Sequence, residues 1–438
     1  MIWIYRLLFP VLFLVGLPFY LFRMLRRGGY GNMLAGRFGW YRIPKPSPEK
    51  RRVWLQAVSV GEMLAIEGLL ERLCSVPNLE LILSTTTSTG FKLAGEKYGS
   101  KVLAVIPFPL DFWPVVCGAW RRIQPDVCVI TEAELWPEHL HEARRRGVPL
   151  ILINARLSDK SFRRMKRAMA LQPLFYHAVS HIAAASELDA ERILELGYPA
   201  EQLSITGNLK FDVADGVSLS MEQRSKLLDT LWQDENPVPA PFTLIGASTW
   251  PGEERLLLDA VCTLSQQHGL AVRLILTPRH AERRAELRSL LQNYGDAFSW
   301  QFRSRPEWKS ESAKQGCPVV HVADTTGELK FLLQVADVAV IGRSFPPHTE
   351  GQTPIEAAAL GIPVVYGPSL SNFRAICRAL EAEGGACRIL EPASLSTTLA
   401  ELLQDMDRRQ ALSQSARRVF KRSRGSTERT FQRVMSYF

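Results

Sequence analysis

The sequence predicts an α/β fold of two domains, each built on a parallel sheet covered by helices, with an apolar helix in front of them. Two series of short apolar segments alternate with stretches of helical periodicity, which is the pattern of parallel strands joined by crossover helices. A proline-rich stretch at 237–241 separates the two series. The chain has 438 residues, 46% of them hydrophobic, and is therefore long enough to form two substantial cores.

An apolar run from Leu7 to Phe22 opens the chain, with one arginine before it and three within the next five positions. As a helix it covers about 24 Å, slightly short of a bilayer core. No small-residue cleavage site follows, so residues 1–27 are predicted to be an uncleaved membrane anchor, and the arginines would keep the remaining chain on the cytoplasmic side. Because Pro10, Gly16 and Pro18 interrupt the run, an amphipathic helix lying in the membrane plane is the alternative.

The first series of strands defines a predicted N-terminal domain at residues 28–215. The apolar centres of its strands are Val53 to Leu55, Leu81 to Leu83, Val127 to Ile130, Leu150 to Ile153 and Ile182 to Ala184. In such sheets ligands bind at the carboxyl ends of the strands, so the loops that follow these segments are candidate site loops.

A predicted linker at 216–241 leads to a C-terminal domain at 242–405, followed by a basic helical segment at 406–438 that is expected to pack back on the first domain. The apolar centres of the second series are Phe242 to Ile245, Leu274 to Leu276, Val319 to Val320, Val338 to Ile341 and Pro363 to Tyr366.

The charge and cysteine content limit the classes of function. The formal net charge is +9, concentrated near the N-terminus and between Arg408 and Arg433, which indicates an anionic partner. The sequence carries no nucleic-acid-binding signature, so a lipid or a phosphorylated substrate is preferred. The seven cysteines are scattered without a CxxC pair, which is typical of a reducing compartment. Neither the cysteines nor the histidines have metal-ligand spacing, so we predict no metal and no cofactor.

Four loops of the first domain carry polar or charged residues directly after strands, and one of them is Asn154-Ala155-Arg156. Glu62, in SVGE, lies at a helix start, where a carboxylate is either a cap or a general base at the mouth of the sheet. Glu132 and Glu134 follow the strand that ends near Ile130, and two carboxylates so close require a nearby cation. Lys210, in GNLKFD, is a candidate to meet a carboxylate or a phosphate across the cleft.

In the second domain, residues 342–361 predict a loop that feeds a helix. Thr353 is a suitable N-cap, Pro354 suits the first helical position and Gly361 is placed to stop the helix. The free N–H groups at such a start favour a phosphate, and Glu356 is placed to hold ribose hydroxyls. The alternative is an ordinary loop-helix-strand unit. Arg279, after another strand, offers a planar fork suited to phosphate.

Taken together, these loops resemble the 3-deoxy-D-manno-octulosonic acid (Kdo) transferases of lipopolysaccharide assembly, glycosyltransferase family 30, over nearly the whole chain. The motifs that carry the resemblance are SVGE (59–62), TTTSTG (85–90), EAELWP (132–137), NARLSDKS (154–161), GNLKFD (207–212), ASTWPGEE (247–254), PRH (278–280), DTTGEL (324–329) and GQTPIEAAALGIPVVYGP (351–368). The resemblance implies a GT-B fold, in which two Rossmann-like domains face a cleft.

The resemblance also implies an activity and a set of site residues. Kdo would move from CMP-Kdo to a lipid A precursor, without a metal and with inversion, at the cytoplasmic face of the bacterial inner membrane. Glu62 would be the catalytic base, and Glu132 and Lys210 would assist the transition state. The residues implied to bind CMP are Pro278, Arg279, Thr326, Gly327, Glu328, Thr353, Pro354, Ile355 and Glu356.

Two features depart from the family pattern. Trp250 stands where the family usually has a histidine, and the glycine-rich donor loop reads GRSFPPHTEGQTP, with Arg343, His348 and Glu350 as unusual occupants. These departures keep two alternatives open: a GT-B enzyme that uses another nucleotide sugar, and a catalytically silent membrane-bound adaptor of the same fold.

Overall fold

The structure is a computed structural model that describes residues 2–27, 31–168, 178–213, 218–232, 241–310 and 317–438. The chain forms two compact units. Unit 1 comprises Met1–Val213 together with Ser423–Phe438, and unit 2 comprises Ala214–Arg422. The last sixteen residues therefore return to the first unit, because 423–438 pack with it rather than with the residues that precede them.

Unit 1 is built on a seven-stranded sheet of order β3-β2-β1-β4-β5-β6-β7, in which every pairing is parallel. Its strands are β1 Arg51–Gln56, β2 Leu79–Thr85, β3 Ala104–Pro107, β4 Val127–Thr131, β5 Leu150–Ala155, β6 His181–Ala184 and β7 Leu203–Ile205. The central strands are buried along both faces, as a parallel sheet covered by helices requires.

The helices of unit 1 that the structure describes lie at the N-terminus and between the strands. They are α1 Ile2–Arg27, α2 Leu34–Arg37, α3 Val60–Ala65, α4 Glu67–Cys74, α5 Ser88–Tyr98, α6 Trp113–Ile123, α7 Pro137–Arg146, α8 Asp159–Arg167, α9 Glu187–Glu195 and α10 Lys210–Val213.

Unit 2 repeats this plan with a second parallel seven-stranded sheet, of order β10-β11-β9-β8-β12-β13-β14. Its strands are β8 Phe242–Thr249, β9 Val272–Pro278, β10 Ser299–Phe302, β11 Val319–Val322, β12 Val338–Ile341, β13 Val364–Tyr366 and β14 Ala386–Arg388. Its described helices are α11 Met221–Trp232, α12 Glu253–Gln266, α13 Arg284–Asn293, α14 Leu329–Leu332, α15 Ile355–Leu360, α16 Arg374–Ala382, α17 Leu395–Gln404 and α18 Met406–Ser423.

The C-terminal helix α19, Ser426–Met435, closes unit 1. It packs against α4, and Arg72 of α4 forms an ion pair with Glu428 at 2.5 Å. Asp212, the last residue of GNLKFD, fixes the start of this helix, because its carboxylate accepts hydrogen bonds from the N–H groups of Gly425 (2.8 Å) and Thr427 (2.6 Å).

The N-terminal helix α1 is longer than the apolar run that predicts it and continues through both prolines, Pro10 and Pro18. Among the described residues, α1 is the one helix that is both long enough and apolar enough to cross a membrane. Its mean hydropathy over Ile2–Phe19 is 1.9. None of that window is fully buried against the rest of the protein.

Candidate active site

The carboxyl ends of the central strands of unit 1 bring Glu62 to the edge of the sheet. Ser59 caps α3 by accepting a hydrogen bond from the N–H of Glu62, and its own hydroxyl donates to Glu62 Oε1 at 3.2 Å. The other carboxylate oxygen accepts from Val58 N at 2.9 Å and from the hydroxyl of Thr131, at the end of β4, at 2.6 Å. Three donors from two neighbouring strand ends therefore fix the position of this carboxylate.

The environment of Glu62 makes it a better proton acceptor than an exposed glutamate. Burial raises the pKa of its carboxyl above the ordinary value, and the hydrogen bonds from Thr131, Val58 and Ser59 offset only part of that rise. Nearby Glu132 raises the pKa of Glu62 further. A carboxylate with a raised pKa takes up a proton more readily than an unperturbed one, which suits a general base.

Glu132 follows β4 directly and has a left-handed backbone conformation, with φ of 57°. Side chains larger than glycine rarely adopt this conformation, so the fold holds Glu132 in place against a local cost. Its carboxylate lies 3.7 Å from Arg156 Nη1 and 4.0 Å from Lys210 Nζ. Two cations therefore balance the carboxylates of this loop: Arg156 directly after β5 and Lys210 in the segment after β7.

Lys210 begins the short helix α10, and its N–H donates to Asn208 Oδ1 at 3.0 Å. Asn154, near the end of β5 and also left-handed at φ 51°, accepts from Leu209 N at 3.2 Å and so anchors the same loop. Burial lowers the pKa of the Lys210 ammonium, and Glu132 opposes this change. The ammonium is thus poorly solvated, and a further anion at the site would raise its pKa as Glu132 and Glu62 do.

Glu134 adds a third carboxylate to this edge. It accepts a hydrogen bond from Trp136 Nε1 at 2.7 Å, and burial together with the charges of Glu62 and Glu132 raises its pKa. Three acidic and two basic side chains therefore share the carboxyl edge of the unit 1 sheet. The structure brings Glu62, Glu132 and Lys210 together at this edge, with Thr131 and Arg156 beside them.

In unit 2 the predicted donor residues lie at the corresponding edge. Arg279 follows β9 with an exposed side chain, and its N–H donates to Thr249 O at 3.0 Å, which ties the end of β9 to the end of β8. Burial raises the pKa of Glu356, and the charges of Lys330 and Arg279 partly offset that rise. Arg279 and Glu356 are therefore close enough to interact electrostatically.

The helix predicted from Thr353 begins slightly later than expected. The structure starts α15 at Ile355, with Pro354 as its cap residue, and the Thr353 hydroxyl accepts from Ile355 N at 3.2 Å. Gly361, at φ 70°, ends the helix in the left-handed conformation expected of a glycine stop. The helix has six residues, so its dipole is small and the free N–H groups of its first turn matter more.

The segment after β11 contains the remaining predicted donor residues. Thr326 and Gly327 are exposed, and Gly327 has φ of 83°. Glu328 is held by Arg303, whose Nη2 lies 2.7 Å from its carboxylate, and by the hydroxyl of Thr325. Burial raises the pKa of Glu328, but these hydrogen bonds outweigh it, so the net pKa is lowered and Glu328 is held as a carboxylate.

Glu253, within the ASTWPGEE motif, has a structural role at this edge that the sequence did not predict. It is buried, and its carboxylate accepts from the backbone N–H groups of Trp250, Arg343, Ser344 and Phe345 at 2.7–3.1 Å. One carboxylate thus ties the loop after β8 to the loop after β12. Its position in the first turn of α12 indicates a carboxylate at a helix start and gives no signal of the contact with the loop after β12.

The residues that depart from the family pattern contact one another. The guanidinium of Arg343 lies 4.2 Å from the centre of the Trp250 ring. The same guanidinium forms an ion pair with Glu350 at 3.2 Å. His280 and His348 pack on the same indole, with ring centres at 5.1 and 5.6 Å. Trp250 and the altered loop are therefore one packed cluster, so the two departures are physically linked.

The two parallel sheets, each with charged side chains at its carboxyl edge, place the chain in the GT-B fold class. The chain is similar to the crystal structure of Anabaena Alr3699/HepE in complex with UDP, with a TM-score of 0.59 and 15% identity, over 88% of this chain and 99% of that one. This likeness concerns the fold.

Residues 32–213, nearly all of the sheet-forming part of unit 1, match the sequence profile described as 3-Deoxy-D-manno-octulosonic-acid transferase (kdotransferase). The 3-deoxy-D-manno-octulosonic acid transferase of Bordetella pertussis is 32% identical over 93% of this chain and 92% of its own length. The enzyme of that name from Haemophilus influenzae is 30% identical over 93% of this chain and 92% of its own length. The chain belongs to the family of Kdo transferases.

Proposed function

We propose that this protein transfers Kdo from CMP-Kdo to a sugar hydroxyl of an anionic lipid A precursor, lipid IVA, with inversion and without a metal ion. Membership of the Kdo transferase family supports the reaction class. The observation that carries the mechanism is the Glu62 carboxylate, which three donors position and whose pKa burial raises.

Glu62 is the proposed base. The acceptor hydroxyl gives its proton to the Glu62 carboxylate while its oxygen bonds to the anomeric carbon of Kdo. The bond from that carbon to the CMP phosphate oxygen breaks in the same displacement, which inverts the configuration. Glu62 ends protonated, CMP leaves with the bonding electron pair, and solvent later removes the proton from the carboxyl.

Glu132, Lys210 and Arg156 are proposed to stabilise the charge that develops in the transition state. Because burial destabilises the Lys210 ammonium and Glu132 alone does not restore its pKa, a further anionic group near Lys210 is favoured. Kdo carries a carboxylate and the acceptor carries phosphate, and both chemistries fit this ammonium. Fixed charges of this kind act without reorganising during the reaction.

On the donor side, we propose that Pro278, Arg279, Thr326 to Glu328 and Thr353 to Glu356 bind CMP. Arg279 is exposed at the end of β9, where its guanidinium is free to approach a phosphate. Glu356, whose pKa is raised by burial, is placed at the first turn of α15 to accept from ribose hydroxyls. A guanidinium and backbone N–H groups can neutralise a departing nucleoside monophosphate, so this chemistry does not require Mg²⁺.

The membrane setting follows from the same proposal. The acceptor is an anionic lipid, and the net charge of +9 and the apolar helix α1 fit an anionic membrane surface. The cytoplasmic face of the inner membrane is the location at which a soluble nucleotide sugar and a membrane lipid meet.

The direct test is to incubate the full chain with CMP-Kdo and a tetraacylated lipid A precursor and to detect the product by mass spectrometry. We expect a product heavier by one or more Kdo units with the wild type and none with Glu62→Gln. Absence of product with the wild type would refute the proposal.

A GT-B enzyme with another nucleotide sugar remains the second candidate, because Trp250, Arg343 and Glu350 form a contact cluster that departs from the family pattern. Thermal unfolding with CMP and with UDP separates the two candidates. We expect CMP alone to raise the midpoint. A larger shift with UDP would favour the second candidate, and no shift with either nucleotide would favour a silent adaptor.

A further inference from the structure

The N-terminal helix α1 is latched to unit 1 by its first turns. The Tyr5 hydroxyl donates to Asp111 Oδ2 at 2.6 Å, and the guanidinium of Arg6 makes two hydrogen bonds to Glu138, at 2.8 and 3.0 Å. The two acceptors are buried, with Asp111 4% and Glu138 2% exposed. A turn further on, the ring of Phe9 packs on Phe112 with centres 6.2 Å apart.

The acceptors of this latch are themselves held in place. Asp111 also accepts from the N–H groups of Glu138 and His139 at 3.2 and 3.1 Å and so caps the start of α7. The carboxylate that receives Tyr5 is therefore fixed by the core of unit 1. Two directional contacts to buried carboxylates make this a specific docking site rather than a loose apolar contact.

Exposure along α1 alternates with the period of a helix. The positions that are half-buried against unit 1 share one face and are Ile2, Tyr5, Arg6, Phe9, Pro10 and Phe13. The positions that are exposed are apolar and include Trp3, Leu7, Leu8, Val11, Leu14 and Val15. The helix thus lies with one face on unit 1 and presents a continuous apolar face outward.

Chain connectivity shows that this docked helix cannot also cross a bilayer. At the far end of α1, Arg27 is ten residues before Arg37, whose carbonyl accepts from Leu110 N at 2.8 Å, next to the latch residue Asp111. Because 31–37 are helical, these ten residues reach roughly 25 Å at most. That is less than the hydrocarbon core of about 30 Å, so the chain could not return across the membrane to unit 1.

We propose that α1 lies in the plane of one membrane leaflet, latched to unit 1 through Asp111 and Glu138, with its outer apolar face inserted among the lipids. This inference rests on the membrane setting proposed above and selects the in-plane arrangement over the spanning one. The exposed ring of Trp113 lies 5.0 Å from the guanidinium of the latch residue Arg6 and is of a type that favours the membrane interface.

Charge identifies anionic lipid as the occupant of this face. The last five residues of α1 itself, 23–27, include Arg23, Arg26 and Arg27 and no acidic residue. A helix with an apolar face and nearby cations binds anionic bilayers through burial of the apolar face and through electrostatic attraction to the lipid headgroups.

Topology is tested with an epitope tag placed before Met1 of the full chain. An in-plane helix keeps the tag on the side of the body, so external protease should remove it in inverted inner-membrane vesicles and leave it intact in spheroplasts. Detergent-opened vesicles serve as the control in which the tag is always removed. Protection in inverted vesicles with removal in spheroplasts would overturn the proposal. The assay uses no donor, so its result is independent of whether the protein transfers Kdo.

The lipid-facing side is tested by sedimentation of the purified full chain with vesicles of phosphatidylethanolamine and phosphatidylglycerol. Leu7 and Val15 are 74% and 75% exposed, and Leu194 on α9 is an exposed leucine of unit 1 that serves as the matched control at 43%. Leu7→Glu and Val15→Glu should each weaken vesicle binding by about tenfold or more, while Leu194→Glu should have no effect. Equal binding by all variants, or self-association of the wild type without vesicle binding, would overturn the proposal.

Discussion

The hydrogen bond from Thr131 to Glu62 allows a quantitative prediction of how the pKa of the proposed base changes when the bond is removed. Thr131 is buried, and its hydroxyl lies 2.6 Å from Glu62 Oε2. Thr131→Val keeps the shape of the side chain and removes this donor. A hydrogen bond to a charged group contributes about 1.5–3 kcal/mol, and one pKa unit corresponds to about 1.4 kcal/mol. The pKa of Glu62, already raised by burial, should therefore rise by a further one to two units, roughly.

The assay is the pH dependence of kcat/KM for Kdo transfer. Glu62 must be ionised to accept a proton, so activity falls as pH drops through its pKa, and the acidic limb should move up by about one to two pH units in Thr131→Val. Activity at high pH should be largely retained, because the base is still present. Thr131→Ser keeps the donor and should leave the limb close to that of the wild type.

The same substitution has a stability consequence with a defined sign. Because the folded-state pKa of Glu62 lies above its ordinary value, ionisation of Glu62 costs folding free energy as pH rises through that pKa. Thr131→Val increases this cost, so its destabilisation should be largest above the folded pKa and should shrink below the ordinary value of 4.5. Thr430 is a matched control, because it is buried in unit 1 and its hydroxyl has no hydrogen-bond partner among the described residues. An unchanged acidic limb in Thr131→Val, or the same shift in Thr430→Val, would refute the reasoning.

Three further variants test separate parts of the site. Glu62→Gln should fold with a far-ultraviolet circular dichroism spectrum like that of the wild type and yet lose transfer activity, and near-normal turnover would remove Glu62 from the role of base. Arg279→Ala should weaken CMP binding by about 1.5–3 kcal/mol in calorimetry, since it removes a charged hydrogen bond, and an unchanged affinity would contradict its role. Glu253→Ala leaves four N–H groups without their acceptor, two of them buried, so it should lower the free energy of unfolding by at least about 2 kcal/mol in denaturant titration. A loss below about 0.5 kcal/mol would show that Glu253 does not hold the two loops together.

The interior of both sheets could be predicted from the sequence, and their edges could not. The strands that the pattern identified are the buried central ones, whose continuous apolar runs reflect burial on both faces. Four strands were missed, and each forms an edge of its sheet: Ala104–Pro107, Leu203–Ile205, Ser299–Phe302 and Ala386–Arg388. Edge strands are short and partly exposed, so they carry proline and polar residues and lack an apolar run.

The candidate site divides in the same way. Charged residues directly after buried strands, such as Glu62, Glu132 and Arg279, were visible because the strand pattern gives their position. Their supporting partners were not. Thr131 was placed in the loop after Ile130 without a role, Arg303 lies after an edge strand that the pattern did not show, and Glu253 was named only within the ASTWPGEE motif. Each acts through a contact between segments distant in sequence, and no local spacing encodes such a contact.

Backbone conformation identifies the same site edges independently of side-chain chemistry. Five residues other than glycine have positive φ in the described chain, and four of them, Glu132, Asn154, Ser248 and Arg343, lie at or directly after the carboxyl ends of β4, β5, β8 and β12. These are central strands of the two sheets.

A glycine would adopt the conformation without cost, so side chains retained there must contribute something that glycine cannot. Glu132 contributes the carboxylate that pairs with Lys210 and Arg156, and Asn154 holds the loop that carries Lys210. Arg343 stacks on Trp250, and its backbone N–H donates to the Glu253 carboxylate. In both units, therefore, a residue with positive φ is held by side-chain contacts at the carboxyl edge of the sheet. A loop that had lost its role would be expected to relax this strain, which argues for an active donor site rather than a silent adaptor.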